Sequence, residues 1–420
     1  MTLITKTIIA ASTLTLGSTL ATLAGEDKSV IEPPKPASFS SCDALKNLGK
    51  IYKNNDNPYI QEWKIFGRMH YQTGSISGEG ADGGSFHDNF DTFRRMRIGT
   101  SLKFAQYFKA VFRTQLVADS RYKGGELNWG IPEKEWASFD EVFLRFNAKK
   151  AFNIDGLDKL DITYGRQKFL MSAEAHESSK RIKTIERSAI ANTVYLGALP
   201  VGLTISGKKG SWAVNGSIYS DTWAETRADS VFGDWSGGEG YLLNVIKTLD
   251  NKDEIIFDYL YHNDDNGPGK NDFFFNKKWA VSLAYQGERG PWGFMVNVIG
   301  GDHGKQDKKS REGAFYGAVA QGTYWLIDDK LEAVGMYQWQ GSTEEEGVTA
   351  YSKDFAASGG HGGDVNKGRG DSHHMLYAGV NWYLCGDHSK IMLGVEYDNL
   401  DTPKGNANAT TLWAAYRLYF

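Results

Sequence analysis

After its first 24 residues the sequence lacks any apolar run approaching the ~18 residues that a membrane-spanning helix needs, which excludes a helical membrane bundle. Proline is scarce at 9 residues and cysteine occurs twice, against 48 glycines, 12 Trp, 21 Tyr and 22 Phe. Aromatic residues are enriched in strands. The 420-residue composition therefore indicates a folded, β-rich chain rather than a disordered one.

The first 24 residues differ from the rest of the chain. Lys6 precedes an uncharged run, Thr7–Ala24, and the chain turns polar at Glu26. A basic start, an apolar centre and small residues at its end are typical of a secretory signal peptide, so residues 1–24 are predicted to be one, cut after Ala24 or Gly25. The alternative, a membrane anchor, fits less well because the run is short and rich in serine and threonine.

Charge is divided unevenly along a chain whose formal net charge is -4. Residues 61–215 carry 23 Lys and Arg against 17 Asp and Glu, whereas residues 216–420 carry 18 against 29. A basic half is thus predicted to face an acidic half. Neither reaches the density of basic residues typical of nucleic-acid-binding domains, so no nucleic-acid partner is expected.

Apolar residues alternate with polar or small residues, with a period of two, from residue 61 to the end of the chain. Trp63, Ile65 and Met69 share one face while Arg68 lies on the other, which is typical of a strand with one apolar and one wet face. Residues 25–60 are rich in proline and polar residues and are predicted to be a periplasmic tether or cap. The pattern predicts sixteen strands, at roughly 61–73, 92–104, 108–118, 139–149, 159–167, 199–207, 210–220, 238–248, 254–263, 277–286, 291–300, 313–326, 330–340, 374–384, 389–399 and 409–420.

The predicted connections alternate between long and short. Loops at 74–91, 168–198 and 400–408 are long, whereas turns such as 105–107 and 385–388 are short. Long loops on one side and tight turns on the other are typical of outer-membrane barrels. The predicted fold is all-β: a 16-stranded antiparallel transmembrane outer-membrane β-barrel at residues 61–420, with long extracellular loops and short periplasmic turns.

The end of the chain adds an independent signal. Tyr416, Leu418 and the terminal Phe420 point one way on an amphipathic strand. An aromatic end of this kind matches the signal read by outer-membrane assembly machinery. We therefore expect the protein in the outer membrane of a Gram-negative-type envelope, in contact with its lipid.

Several ordered segments resemble the phosphate-selective porin family (porins O and P). They are Phe93-Arg94-Arg95-Met96-Arg97-Ile98-Gly99, Tyr164-Gly165-Arg166-Gln167-Lys168, Ile185-Glu186-Arg187-Ser188 and Gly379-Val380-Asn381-Trp382-Tyr383-Leu384. The resemblance extends from about residue 56 to residue 420. It implies a sixteen-stranded, homotrimeric channel for small hydrophilic solutes, with anions or phosphate among its partners.

Selectivity in a pore depends on its narrowest ring, which an inward-folded loop and the facing wall build together. The candidate loop, 168–198, contributes both signs of charge: Lys168, Lys180, Arg181, Lys183, Arg187, Glu174, Glu177 and Glu186. By parity, the facing wall residues are Arg68, Arg95, Arg97, Lys103, Arg113 and Arg145. Guanidinium groups are fixed donors suited to phosphate-like or carboxylate solutes, so an anion preference is expected. The alternative is an ordinary wet lumen in which arginines pair with acids.

Two cysteines fall on the same predicted side of the barrel. Cys42 precedes the first strand and Cys385 lies in a tight turn late in the chain, so both are placed at the periplasmic end. An exported chain reaches an oxidising compartment, where a disulfide between them is plausible. Two free thiols remain the alternative.

We expect no enzyme and no cofactor. No clustered Ser/His/Asp set or paired carboxylates stand out, which argues against an outer-membrane hydrolase. His361, His373 and His374 lie in or beside a glycine-rich loop and are interpreted as solvated surface residues, not metal ligands. A structural barrel that links the envelope to another layer through residues 25–60 remains the other alternative to a passive porin.

Overall fold

The computed structural model describes residues 40–116, 138–194, 199–220, 233, 235, 238–263, 277–306, 308–350 and 363–420. The predicted signal peptide at 1–24 and the predicted loop residue His361 lie outside these ranges. No helix within the described ranges is long and apolar enough to cross a membrane.

Sixteen antiparallel strands form one closed ring, which confirms the predicted fold class. Each strand pairs with the next, and the last returns to the first through pairs such as Leu418 with Met69. Period-two alternation permits closure because each strand offers one face to the lumen and one outward. The strands are β1 (Ile60–Glu79), β2 (Ser85–Phe104), β3 (Phe108–Gln115), β4 (Ser138–Asn147), β5 (Lys159–Arg166), β6 (Val201–Lys209), β7 (Trp212–Ser220), β8 (Glu239–Thr248), β9 (Glu254–Asn263), β10 (Trp279–Arg289), β11 (Trp292–Asp302), β12 (Ala314–Ile327), β13 (Leu331–Ser342), β14 (Ser372–Tyr383), β15 (Ser389–Thr402) and β16 (Gly405–Tyr419).

Several short elements are not part of the ring of sixteen strands. The helices are α1 (Ser41–Asn47), α2 (Ala148–Ala151), α3 (Ala173–His176) and α4 (Ala189–Val194), with 3-10 turns at Lys309–Arg311 and Asn366–Gly368. Lys50–Lys53 is a short strand that pairs with the start of β1, and Val348–Thr349 pairs with Arg369–Gly370 in a separate two-stranded sheet.

The outer face of the barrel is apolar and exposed. Leu283, Val298 and Leu393 are 48%, 48% and 50% exposed although they sit in the middle of well-paired strands. Water would disfavour such a surface, whereas lipid solvates it. Exposed aromatic residues such as Trp212 and Trp382 lie at strand ends, where an interfacial girdle belongs.

Two loops predicted as long are instead short turns between extended strands. β1 and β2 are 20 residues each and meet at residues 80–84, so most of the predicted loop 74–91 is strand. β15 and β16 likewise continue to residues 403–404, where a loop at 400–408 was predicted. The sequences of these segments conceal their strand character, because they are mostly polar and their few apolar residues, such as Ile76, Phe86 and Leu400, form a separate small buried cluster.

The segment before β1 completes the seam of the barrel. Strand β16 ends at Tyr419, which leaves the lower part of β1 without a partner on that side, and Lys50–Lys53 pairs there instead. Gly49 makes the approach with a φ of +86°, and a Cβ at this position would collide with the carbonyl oxygen of Ile65. A disulfide joins Cys42 on α1 to Cys385, with the two Cα atoms 5.3 Å apart.

Candidate functional site

The segment between β5 and β6 folds into the lumen, as the sequence predicted for a constriction loop. Most of its described apolar residues are buried, and they pack against lumen-facing residues of the wall between β7 and β16. The loop residues in this cluster include Phe169, Met171, Ile185 and Ile190, and the wall residues include Leu242, Ile256, Met295 and Met336. The loop therefore covers the wall of the acidic half of the chain with apolar contacts rather than leaving it open to solutes.

Three polar wall residues accept hydrogen bonds from backbone N–H groups of the loop. A side-chain oxygen on each accepts a loop N–H: Asp258 from Ser172 at 2.9 Å, Asn297 from Ala173 at 3.0 Å, and Gln338 from Ile190 at 3.2 Å. All three wall residues are buried. Because a buried N–H without a partner is costly, these bonds specify one position for the loop.

A β-bulge in β2 turns two consecutive arginines inward. His70 pairs with Arg95 but Tyr71 pairs with Phe93, so Arg94 is the extra residue. Both arginines are buried, at 8% and 5% exposure. Strict alternation places Arg94 on the lipid face, and for that reason sequence reasoning missed it as a lumenal residue; two adjacent arginines in a strand were the available signal.

A second bulge, in β4, brings two carboxylates to one arginine. Phe112 pairs with Val142 and Thr114 with Phe139, so Arg113 stands opposite both Asp140 and Glu141. The Arg113 guanidinium contacts Asp140 and lies 2.8 Å from the Glu141 carboxylate. Arg97 also pairs with Asp140, at 3.2 Å. Two acids thus neutralise part of this wall.

Three further cations near this wall form no ion pair with a carboxylate of the described residues. The Arg68 guanidinium donates to the Ser179 hydroxyl on the loop. Arg95 Nη1 lies 3.3 Å from Nδ1 of His70. Burial lowers the pKa of the Lys168 ammonium to about 8; Glu141 opposes this shift and neighbouring arginines add to it.

The loop glutamates are held in local contacts. Glu174 accepts hydrogen bonds from the backbone and hydroxyl of Ser188, and burial raises its pKa. Glu186 pairs with Arg94 at 2.9 Å. Glu177 pairs with Arg181 at 2.7 Å on the more exposed part of the loop.

The charges between the loop and the wall of β1–β5 sum to an excess of positive charge. Among the described residues, the cations are Arg68, Arg94, Arg95, Arg97, Arg113, Lys168 and Arg187. The carboxyl groups that interact with them are Asp140, Glu141, Glu174 and Glu186. Seven cations face four carboxyl groups, of which Glu174 is the most easily neutralised.

Some residues predicted for the site lie elsewhere. Lys103 pairs with Glu62 at 3.1 Å near the end of β2, and Arg145 donates to Thr163; neither makes a described contact with the loop. Lys183 pairs with Glu332 on β13 at 2.8 Å. Lys180 is half-buried on the loop and has no described ion pair.

The interpretation of His373 as a solvated loop residue is wrong. It is 1% exposed on β14, and its Nε2 lies 2.7 Å from the Asp398 carboxylate. His374 points the opposite way and contacts the Tyr337 hydroxyl at 2.8 Å. Strand β14 begins at Ser372, before the predicted start at residue 374, which moves His373 out of the loop. Within the described residues, no group of three or more His, Cys, Asp or Glu is placed to hold a metal ion.

A closed sixteen-stranded barrel with a loop inside its lumen and an apolar outer face is the architecture of outer-membrane porins. The family model described as phosphate-selective porin O and P matches residues 64–242, which confirms the resemblance found in the sequence. A search of curated proteins finds no match.

Solved outer-membrane proteins share the fold at low identity. OmpT of Vibrio cholerae is 10% identical, with a TM-score of 0.54 over 88% of this chain and 99% of that one. Salmonella typhi OmpF is 11% identical, with a TM-score of 0.53 over 88% and 100%. The outer membrane channel DcaP of Acinetobacter baumannii is 12% identical, with a TM-score of 0.51 over 87% and 99%.

Proposed function

We propose that this porin is a passive, non-enzymatic diffusion channel that prefers small hydrophilic anions. The observation that carries the proposal is the excess of cations between the loop and the wall of β1–β5. Arg68, Arg95 and Lys168 have no described carboxylate partner, while the loop glutamates are paired or protected. In a water-filled pore with low-dielectric walls, such an excess raises the local concentration of anions.

Phosphate-like solutes fit this wall better than chloride. A guanidinium presents fixed donors that match two oxygens at once, and charge-assisted bonds replace part of the hydration shell of the anion. Arg68 and Arg95 provide two such groups on neighbouring strands. A carboxylate solute would use the same donors.

Block of chloride current by phosphate tests the solute class. Phosphate added at constant ionic strength should reduce single-channel KCl current in a dose-dependent way. Arg68→Gln with Arg95→Gln should raise the half-blocking concentration at least about tenfold, because a hydrogen bond to a charged group contributes ~1.5–3 kcal/mol. A chloride current that phosphate does not change would contradict the phosphate-like class.

We also propose a homotrimer, which the family resemblance implies and the outer face supports. Gly67, Thr100 and Thr114 share the outward face of β1–β3 with Ile98 and Phe112. Small and polar residues at mid-strand suit contact with protein better than contact with lipid. A solved form of OmpT of Vibrio cholerae is described as a trimer. Cross-linking in native membranes should yield a trimer, and a product that stays monomeric would contradict this assembly.

Residues 1–24 are proposed to be a signal peptide that directs export before insertion. Residues 25–60 are proposed to act at the periplasmic end of the barrel domain at 61–420. The pairing of Lys50–Lys53 with β1 and the disulfide at Cys42 support a cap rather than a long free tether. N-terminal sequencing of the outer-membrane protein should begin at residue 25 or 26, whereas an intact N-terminus would contradict cleavage.

A further inference from the structure

Two cations on the last strands point at the backbone of the loop. Arg417 on β16 is 1% exposed, and its guanidinium donates to four loop carbonyls. The acceptors are Ser179 and Ile182 at 3.4 Å, Thr184 at 3.3 Å, and Ile185. Lys390, the direct cross-strand partner of Arg417, donates to the Ile182 carbonyl at 3.0 Å.

These two side chains are not available to solutes. Both are buried, and the described donors of Arg417 all end on carbonyl oxygens of one short stretch, 179–185. A planar guanidinium presents five donors spread over three nitrogens and so can serve several carbonyls along a curved backbone, whereas an ammonium has three donors on one nitrogen. Removal of Arg417 would leave buried carbonyls without their donor.

The rest of the loop has separate anchors. Asp258, Asn297 and Gln338 hold residues 172, 173 and 190, outside the stretch 179–185. Within this stretch the other described wall contacts include those of Lys183 with Glu332, Asn381 and Tyr383, and that of the Ser179 hydroxyl with Arg68. Arg417 therefore makes more bonds to the loop tip than any other described side chain.

Ser179 connects this anchor to the candidate filter. Its carbonyl accepts from Arg417, while its hydroxyl accepts from Arg68 on β1. A change in the position of residue 179 thus changes the distance between the loop tip and the wall that carries Arg68.

We propose that Arg417, assisted by Lys390, is a positioning residue that holds the loop tip 179–185 against β15 and β16 and so sets the cross-section of the pore beside Arg68. This inference rests on the proposed function only in taking the loop as the filter. The role of Arg417 is steric. The proposal therefore predicts a change in pore size that does not depend on which ion the channel prefers.

Single-channel conductance in KCl and the size limit for neutral polymers test the proposal. Arg417→Met should raise conductance about twofold or more and admit larger polymers, because flux depends on the narrowest ring. Lys390→Met should shift both readouts in the same direction by less. Lys247→Met is the control, since Lys247 bonds Ser211 near Trp212 and makes no described contact with the loop; it should leave both readouts unchanged.

A conservative variant separates position from charge. Arg417→Lys keeps the charge but replaces five donors on three nitrogens by three donors on one nitrogen, so conductance should still rise, although by less than in Arg417→Met. Wild-type conductance in Arg417→Lys together with an altered Arg417→Met would mean that charge alone acts, which overturns the proposal. If Arg417→Met does not form a barrel, the other two variants, Lys390→Met and Arg417→Lys, test the proposal. A size limit for neutral polymers equal to that of the wild type in both variants would overturn the proposal.

The two proposals fail in different ways. A cation-selective wild-type channel would contradict the anion preference, while the polymer limit of the variants would still measure the role of Arg417. An anion-selective channel whose size limit for neutral polymers does not change when Arg417 or Lys390 is replaced would contradict the positioning role alone.

Discussion

Arg94 Nε lies 2.9 Å from Glu186 Oε1, so an ion pair joins the second strand of the barrel to the loop inside its lumen. Both side chains are 9% exposed, and Gln72 donates a further bond of 3.0 Å to the same carboxylate oxygen. The pair depends on the bulge that turns Arg94 inward. It neutralises the glutamate that otherwise would face the basic wall most directly.

Removal of the Glu186 charge should strengthen anion selectivity. Glu186→Gln keeps the shape and one acceptor but leaves Arg94 with less compensation, so the chloride-to-potassium permeability ratio should rise. Arg94→Gln should lower the ratio because Glu186 then loses its cation. Reversal potentials of both variants in a KCl gradient measure the effect, and shifts of the same sign in the two variants would contradict the pairing.

Replacement of one member of this pair should destabilise the folded barrel more than replacement of both. Loss of one partner from a buried pair costs about 3–5 kcal/mol, whereas neutral replacement of both costs less. Arg94→Gln should therefore unfold at a lower temperature than the double variant with Glu186→Gln. Unfolding followed by circular dichroism measures this, and additive losses would show that the two residues do not interact.

Arg68 and Arg95 should account for much of the anion preference. Replacement of both by glutamine removes two cations that lack described carboxylate partners, so the chloride-to-potassium permeability ratio should fall at least about twofold. Lys404→Gln is the matched control, because Lys404 is an exposed cation paired with Asp364 near the β15–β16 turn. An equal fall in the control would assign the preference to overall charge instead.

Anion selectivity should decrease as the pH rises through about 8. Burial lowers the pKa of Lys168 to about 8, so its positive charge is present at pH 7 and mostly lost by pH 9. Reversal potentials between pH 6.5 and about 9.5 should show this step. Lys168→Met should remove the step and give at neutral pH the selectivity that the wild type shows at high pH; a step that persists in Lys168→Met assigns the titration to another group.

Loss of the disulfide should loosen the periplasmic cap without changing the pore. Cys42 and Cys385 are separated by 343 residues, so Cys42→Ser with Cys385→Ser should reduce the free energy of unfolding by about 6 kcal/mol in the chain-entropy account. Helix α1 has 7 residues and is too short to be stable alone, so protease should cut it in the variant. Unchanged conductance is expected, and equal protease resistance would contradict the role of the disulfide.

Strand number and order could be predicted from the sequence because lipid imposes a strict alternation on every spanning segment. The same alternation failed where lipid does not reach. The upper halves of β1 and β2 are mostly polar and carry only a few apolar residues, such as Ile76 and Phe86, so their strands were mistaken for the loop 74–91. His373 was assigned to a loop for a related reason. It is paired with Asp398 in the lumen, and a buried polar pair does not show the apolar alternation that marks a strand.

The candidate site could be predicted in part. Parity along the strands predicts that Arg68, Arg95, Arg97 and Arg113 share the lumenal side, where the structure has Arg68 bonded to the loop, Arg95 beside His70, and Arg97 and Arg113 paired with Asp140. Arg94 could not be predicted, because a bulge is a one-residue insertion without a strong local signal. Arg417 could not be predicted as part of the site, because nothing in the sequence indicates that its partners are backbone carbonyls some 230 residues earlier.

The reversal potential of the wild-type channel under a KCl gradient tests the central claim most directly. The purified protein in a planar bilayer should give a potential of the sign set by chloride, and that potential should move toward zero in Arg68→Gln with Arg95→Gln. A potential of the sign set by potassium would contradict the account, because it would mean that the carboxylates of the lumen, not the arginine wall, determine the field.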